Sequence, residues 1–130
     1  MPAMDIKTTA RTEMINITRD IERMLSDSNI KNGLCHIFVP HTTAGITINE
    51  GADPSVAEDI VSALKKLIPW EGGYRHLEGN SAAHIKTSLV GSSDIVAVEE
   101  GRLQLGTWQA VFFCEFDGPR MRKVQVQLFD

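Results

Sequence analysis

The sequence predicts an α+β fold, a β-rich antiparallel sandwich with two or three helices. Three observations carry this. Apolar strand-like runs cluster instead of alternating with helices, few stretches show helical spacing, and after Gly91 the pattern is purely β. At 130 residues, 42% of them hydrophobic, the chain suffices for one domain, 1–130. A chain of this size buries roughly two-thirds of the surface its unfolded form exposes, so the core needs neither disulfide nor metal staples. No repeat, low-complexity tract or linker marks a boundary.

In order along the chain, residues 3–17 alternate loosely enough for strand, and Thr18 can cap a short helix whose Ile21, Met24 and Leu25 share a face. The polar run 26–29 ends it. Residues 33–40 are rich in Ile, Phe and Val and form a strong strand, and a second apolar run, 44–48, follows the polar interruption His41-Thr42-Thr43. Asp53 before Pro54 starts a helix carrying Val56, Ile60, Leu64 and Leu67 at helical spacing, which stops at Pro69. Residues 69–80 are polar and glycine-rich, suited to a loop over a site. Asn80 can cap a brief helix through Thr87. Strands over 95–98, 103–105, 108–116 and 124–128, with turns at Glu100-Gly101 and Asp117-Gly118, then predict an antiparallel meander.

The 13 basic and 17 acidic residues leave a net charge of -4, the wrong sign for a nucleic-acid or anionic-membrane binder. No apolar stretch reaches the ~20 residues that span a bilayer, and the polar start lacks a charged-then-apolar leader, so a cytoplasmic protein is expected. Cys35 and Cys114 lie inside apolar runs and are expected as buried, reduced thiols.

The four histidines are the most informative chemistry. His36 shares a strand face with Leu34 and Phe38 and reads as structural. His41 follows the strand end, His76 lies in the glycine-rich loop, and His84 sits one helical turn after Asn80. These three either converge on a divalent ion with an open coordination position, zinc favoured and magnesium as the alternative, or make surface hydrogen bonds. No HExxH or paired-cysteine motif decides between the two.

Among the acids after His41, Asp53 is explained by capping and Glu58 by a solvated helix face, whereas Glu50, beside Asn49, has no such explanation and is a candidate base. Arg120 and Arg122, two apart, project to one side and could grip a phosphate, with a solvated face or a subunit salt bridge as the equal alternative. The hydroxyl-rich run 87–93 lacks a P-loop arrangement, and no Ser or Cys has a nucleophile setting.

Several phrases together resemble the YjbQ-like, or secondary thiamine-phosphate synthase, family over nearly the whole chain. They are Pro40-His41-Thr42-Thr43-Ala44-Gly45, Asn49-Glu50, Tyr74-Arg75-His76, the segment from Asn80 to His84, and above all Gly101-Arg102-Leu103-Gln104-Leu105-Gly106-Thr107-Trp108-Gln109. Glu115-Phe116-Asp117-Gly118-Pro119-Arg120 followed by Arg122 fits the family's C-terminal end. The resemblance implies a small β-rich fold assembled as a homotrimer, with a divalent-metal site at subunit-facing clefts carried by His41, His76 and His84. It also implies an activity that joins a pyrimidine diphosphate to a thiazole phosphate, giving thiamine phosphate and pyrophosphate.

The leading expectation is therefore a metal-dependent enzyme acting on a phosphorylated small molecule. In it, His41 and Glu50 are catalytic, and Asn49, Asn80, Lys86, Arg120 and Arg122 bind substrate or phosphate. The alternatives are a metal-assisted phosphohydrolase and a non-catalytic trimer that binds a metal or small ligand.

Overall fold

A computed structural model describes residues 2–130. Its elements run β1 (Ala3–Lys7), β2 (Glu13–Asn16), α1 (Thr18–Ser28), β3 (Gly33–Phe38), β4 (Ala44–Glu50), α2 (Pro54–Leu67), α3 (Ser81–Val90), β5 (Ser93–Glu99), β6 (Arg102–Leu103), β7 (Gln109–Glu115) and β8 (Met121–Phe129). Strands order as β1-β8-β3-β5-β6 in one sheet and β2-β7-β4 in another, and all the pairings are antiparallel. This is the expected α+β class with two antiparallel sheets and three helices.

The two sheets share one apolar layer. Cys35, Ile37, Val96, Val98, Val124 and Val126 from the large sheet meet Ala44, Ile46, Val111 and Phe113 from the small one, and Ile21 and Leu25 of α1 join them. The opposite face of the small sheet is covered too: Ala110, Phe112, Cys114 and Phe116 pack with Ala83 of α3, Leu64 of α2 and Trp70. Thus β7 is buried on both faces, which is why its sequence, Ala110-Val111-Phe112-Phe113-Cys114, is continuously apolar instead of alternating. Strand β3 does alternate, with Cys35 and Ile37 inward and Leu34, His36 and Phe38 outward. The His36 ring lies beside Phe38 with centroids 6.5 Å apart, on the face expected for a structural histidine.

Asp53 caps α2 as expected, its Oδ1 accepting from Ser55 N–H at 3.0 Å with Pro54 behind it. Other local expectations need correction. Residues 3–17 form two strands in different sheets, not one. Thr18 is already helical; Asn16 Oδ1 accepts from its N–H and its hydroxyl, while Thr18 Oγ1 accepts from Val111 N–H. The C-terminal strands are not a meander: β7 crosses to the small sheet, and β8 inserts between β1 and β3. Alternation of apolar residues fixes which face of a strand is buried but not its neighbours, so this ordering was not legible locally.

Candidate functional site

The connection between β3 and β4 carries His41, and the reason lies in strand pairing. Phe38 pairs with Gln125, so a strand continued for two residues would set residue 40 opposite Lys123. Proline cannot extend the ladder as a donor, and β3 stops. Lys123 N–H instead donates to His41 Nε2 at 2.9 Å. With that lone pair taken, the neutral ring carries its proton on Nδ1 and presents a donor. Burial, reinforced by the charges of Arg122 and Arg120 against that of Glu115, lowers the His41 pKa below the usual imidazole range. His41 is therefore held neutral and oriented.

Around it opens a cleft of about 490 Å³ lined by Thr42, Thr43, Ser92, Arg120 and Arg122, with Phe38 at its edge. The two arginines differ in state. Arg120 is half-exposed and donates from Nε to the Asp117 carbonyl at 2.9 Å and from Nη2 to Asp117 Oδ2 at 3.2 Å. Arg122 is buried: its Nε and Nη2 donate to the two oxygens of Glu115 at 2.8 and 2.5 Å, and Nη2 also reaches Thr43 Oγ1 at 2.8 Å. Burial alone pushes the Glu115 pKa up, yet hydrogen bonds from Arg122, Asp117 N–H and Thr8 outweigh it and hold the carboxyl below its ordinary value. Of the two arginines expected to grip phosphate, only Arg120, half-exposed and held by Asp117, faces solvent where a ligand could reach it; Arg122 is buried against Glu115 and props the cleft floor through Thr43.

A second cleft of about 340 Å³ shares His41, Thr42 and Ser92 and adds His84, Thr87 and Ser88 from α3. The His76 ring meets His84 edge-on, with centroids 5.4 Å apart. So the structure brings the three histidines to one side of α3. As a metal centre within a single chain they do not fit. His41 has committed its Nε2 lone pair, and no group of three His, Cys, Asp or Glu side chains among the described residues is arranged to hold an ion. Asn80 also has a different job from phosphate binding: its Nδ2 donates to Asp117 Oδ2 at 2.8 Å, which ties α3 to the Arg120 turn. Its Oδ1 and the Thr87 hydroxyl are buried without partners.

Glu50 and Asn49 are not at this site. They end β4, five and six residues past Ala44, which at a strand's rise puts Glu50 about 20 Å from Ala44. There Glu50 Oε2 accepts from Ala52 N–H and Asn49 Oδ1 from Glu50 N–H, beside a separate cleft formed by Trp108, Gln109 and Arg19. A proton cannot pass directly between Glu50 and His41 of one chain. Lys86 likewise faces away, toward Arg11 and Trp70.

Glu115, Asp117 and Thr43 were missed as site residues. A carboxylate at the end of the apolar run 110–116 was the available signal, since such an acid needs a buried partner. Two glycines set the site's walls. A Cβ on Gly45 would lie 2.5 Å from the Gly91 carbonyl, which accepts from Ile46 N–H, and one on Gly118 would lie 2.4 Å from the Ala10 carbonyl. Both thiols are buried as expected, and burial pushes Cys35 to about 11 and Cys114 to about 12, which removes them as nucleophiles.

The family model for UPF0047 protein YjbQ-like matches residues 3–130. The chain belongs to the YjbQ-like family. It is 53% identical over 129 residues to the UPF0047 protein YugU of Bacillus subtilis, with 98% of each chain covered. A UPF0047 protein of Methanocaldococcus jannaschii is 54% identical over 95% of this chain and 89% of its own. The crystal structure of an uncharacterised YjbQ/UPF0047 family protein of Clostridium acetobutylicum superposes with a TM-score of 0.97 at 49% identity, covering 99% of this chain and all of that one. A conserved hypothetical protein of Thermus thermophilus gives 0.92 at 47%, covering 99% of this chain and 100% of its own. The YjbQ-like fold is thus settled, and among the described residues no helix is long and apolar enough to cross a membrane.

Proposed function

We propose that this YjbQ-like protein is a transferase of phosphorylated small molecules, with the His41–Arg120 cleft holding a diphosphate as leaving group. The candidate reaction is thiamine-phosphate synthesis. The observation that carries the reading is the pairing of a fixed neutral His41 donor with the half-exposed Arg120 guanidinium, oriented by Asp117, and the hydroxyl-bearing Thr42 and Ser92 in one cleft. These groups match the oxygens of a diphosphate, and they are positioned before the ligand arrives.

The chemistry asks little else of the protein. The bond from the pyrimidine methylene carbon to the diphosphate oxygen breaks, with its electron pair leaving on pyrophosphate. The thiazole ring nitrogen attacks that carbon with its own lone pair and has no proton to lose. A general base is unnecessary, which accords with the distance of Glu50 from His41. A hydrolase would need a base to activate water, and among the described residues no unpaired carboxylate lines this cleft. That contrast favours transfer over phosphohydrolysis.

A divalent ion, zinc or magnesium, remains part of the proposal only at a subunit boundary, where His76 and His84 would meet groups from another copy. The working assembly we propose is a cytoplasmic homotrimer. The deciding experiment incubates the purified protein with the pyrimidine diphosphate and thiazole phosphate and quantifies thiamine phosphate. Formation of that product, with kcat/KM reduced roughly a hundredfold in Arg120→Ala, is expected. Release of inorganic phosphate from simple phosphoesters instead would identify a hydrolase, and turnover of neither would leave a binding protein.

A further inference from the structure

A cavity of about 540 Å³ lies between α2, the β1–β2 connection and the 118–119 turn, and shares no lining residue with the His41 cleft. Three cations border it: Arg11 from the connection, Lys65 from α2 and Lys86 from α3, with Thr12 and Trp70 between them. Among the described residues no carboxylate lines it. Among the described residues none of the three cations has an acidic partner within ion-pair distance. In a chain of net charge -4, three convergent unpaired cations are not a by-product of composition.

Lys86 is the telling residue. It is 3% exposed, and lysines are almost never so buried without a paired charge. Burial first, then the charges of Lys65 and Arg11, lowers its pKa, the mark of like charges held close together. Arg11 is held with its guanidinium carbon 4.2 Å from the Trp70 ring centre, a cation–π contact that fixes the group while leaving its N–H donors unspent.

We propose that this cavity is a binding site for a small polyanion, a free or organic diphosphate, which supplies the missing negative charge to Arg11, Lys65 and Lys86. The volume suits a small molecule and not a protein segment. The site stands whether or not the His41 cleft is catalytic.

Trp70 provides a local reporter once the exposed Trp108 is changed to Phe. Pyrophosphate titrated into that protein at constant ionic strength should change Trp70 emission saturably. Lys86→Met, which keeps the buried stem, and Lys65→Ala, on the helix surface, should each weaken the apparent affinity at least about tenfold, the equivalent of one lost charge-assisted hydrogen bond. Lys86→Met should also raise Tm, because it removes an uncompensated buried charge. Arg120→Ala should leave the Trp70 titration in place. No saturable change up to millimolar pyrophosphate overturns the proposal, as does an affinity unmoved in both lysine variants or a Trp70 response lost in Arg120→Ala. If Lys86→Met fails to fold, Lys65→Ala decides alone.

Discussion

Glu115 and Arg122 meet as a fully buried pair, and their energetics are asymmetric. The pair is supported by further hydrogen bonds, from Thr8 and Asp117 N–H to the Glu115 carboxylate and from Arg122 Nη2 to Thr43 Oγ1, which offset its desolvation. Removing one partner leaves the other as an uncompensated charge. Glu115→Ala should therefore lose about 3–5 kcal/mol of unfolding free energy at neutral pH, measured by urea denaturation. The sign with pH follows from the lowered carboxyl: its contribution is complete above the unfolded value of about 4.3 and fades as pH falls through the folded one. Variant and wild type should accordingly converge in acid. An unchanged gap at low pH would show that the loss comes from packing instead of charge. The two arginines were visible in the sequence as a pair. Their difference was not, because it depends on an acid seven residues upstream in β7.

Between elements, the close contact of β4 with α3 shapes the His41–His84 wall. Gly45 faces the end of α3, and the Gly91 carbonyl both touches it and accepts from Ile46 N–H at 3.0 Å. A methyl group there must push backbone, which does not yield as a flexible side chain would. Gly45→Ala should cost about 1–3 kcal/mol, the range for overpacking, and is checked by urea denaturation of the variant. A stability within experimental error of wild type would mean that α3 shifts freely. Helix α2 and its cap were legible from Asp53-Pro54 and the spacing of Val56, Ile60 and Leu64, since those signals are local. That this helix and α3 lie on the second face of the small sheet was not, although the unbroken apolar run of β7 hinted that both faces were covered.

On the molecular scale the large sheet leaves its outer face bare. Phe129 pairs with Leu34, which pairs with Ala97, and His36 pairs with Ile95, so the exposed Leu34, Phe38, Ile95 and Phe129 form one apolar field across β8, β3 and β5. Such a field calls for a partner surface. If the homotrimer uses it, light scattering should return three times the 14.4 kDa chain mass, and Ile95→Glu should yield monomers with an unchanged circular dichroism spectrum. A monomeric wild-type protein removes the trimer and any metal site built across subunits.

By itself the sequence determined the α+β class, the start of α2 at Asp53-Pro54, the face of β3 that carries His36 and the residues that mark the family, because all of these are written in short-range periodicity and local motif. It also singled out His41, whose place in a strand-end connection already suggests a site, and the pair Arg120 and Arg122 without telling them apart. Only the tertiary structure decided which candidates meet. Glu50 shares a strand with the His41 neighbourhood yet lies at its far end, Lys86 turns to the other side of α3, and Arg122 is consumed by Glu115. Those outcomes depend on strand order and on which long-range partner satisfies each buried charge, and neither is encoded in the spacing of residues along one segment.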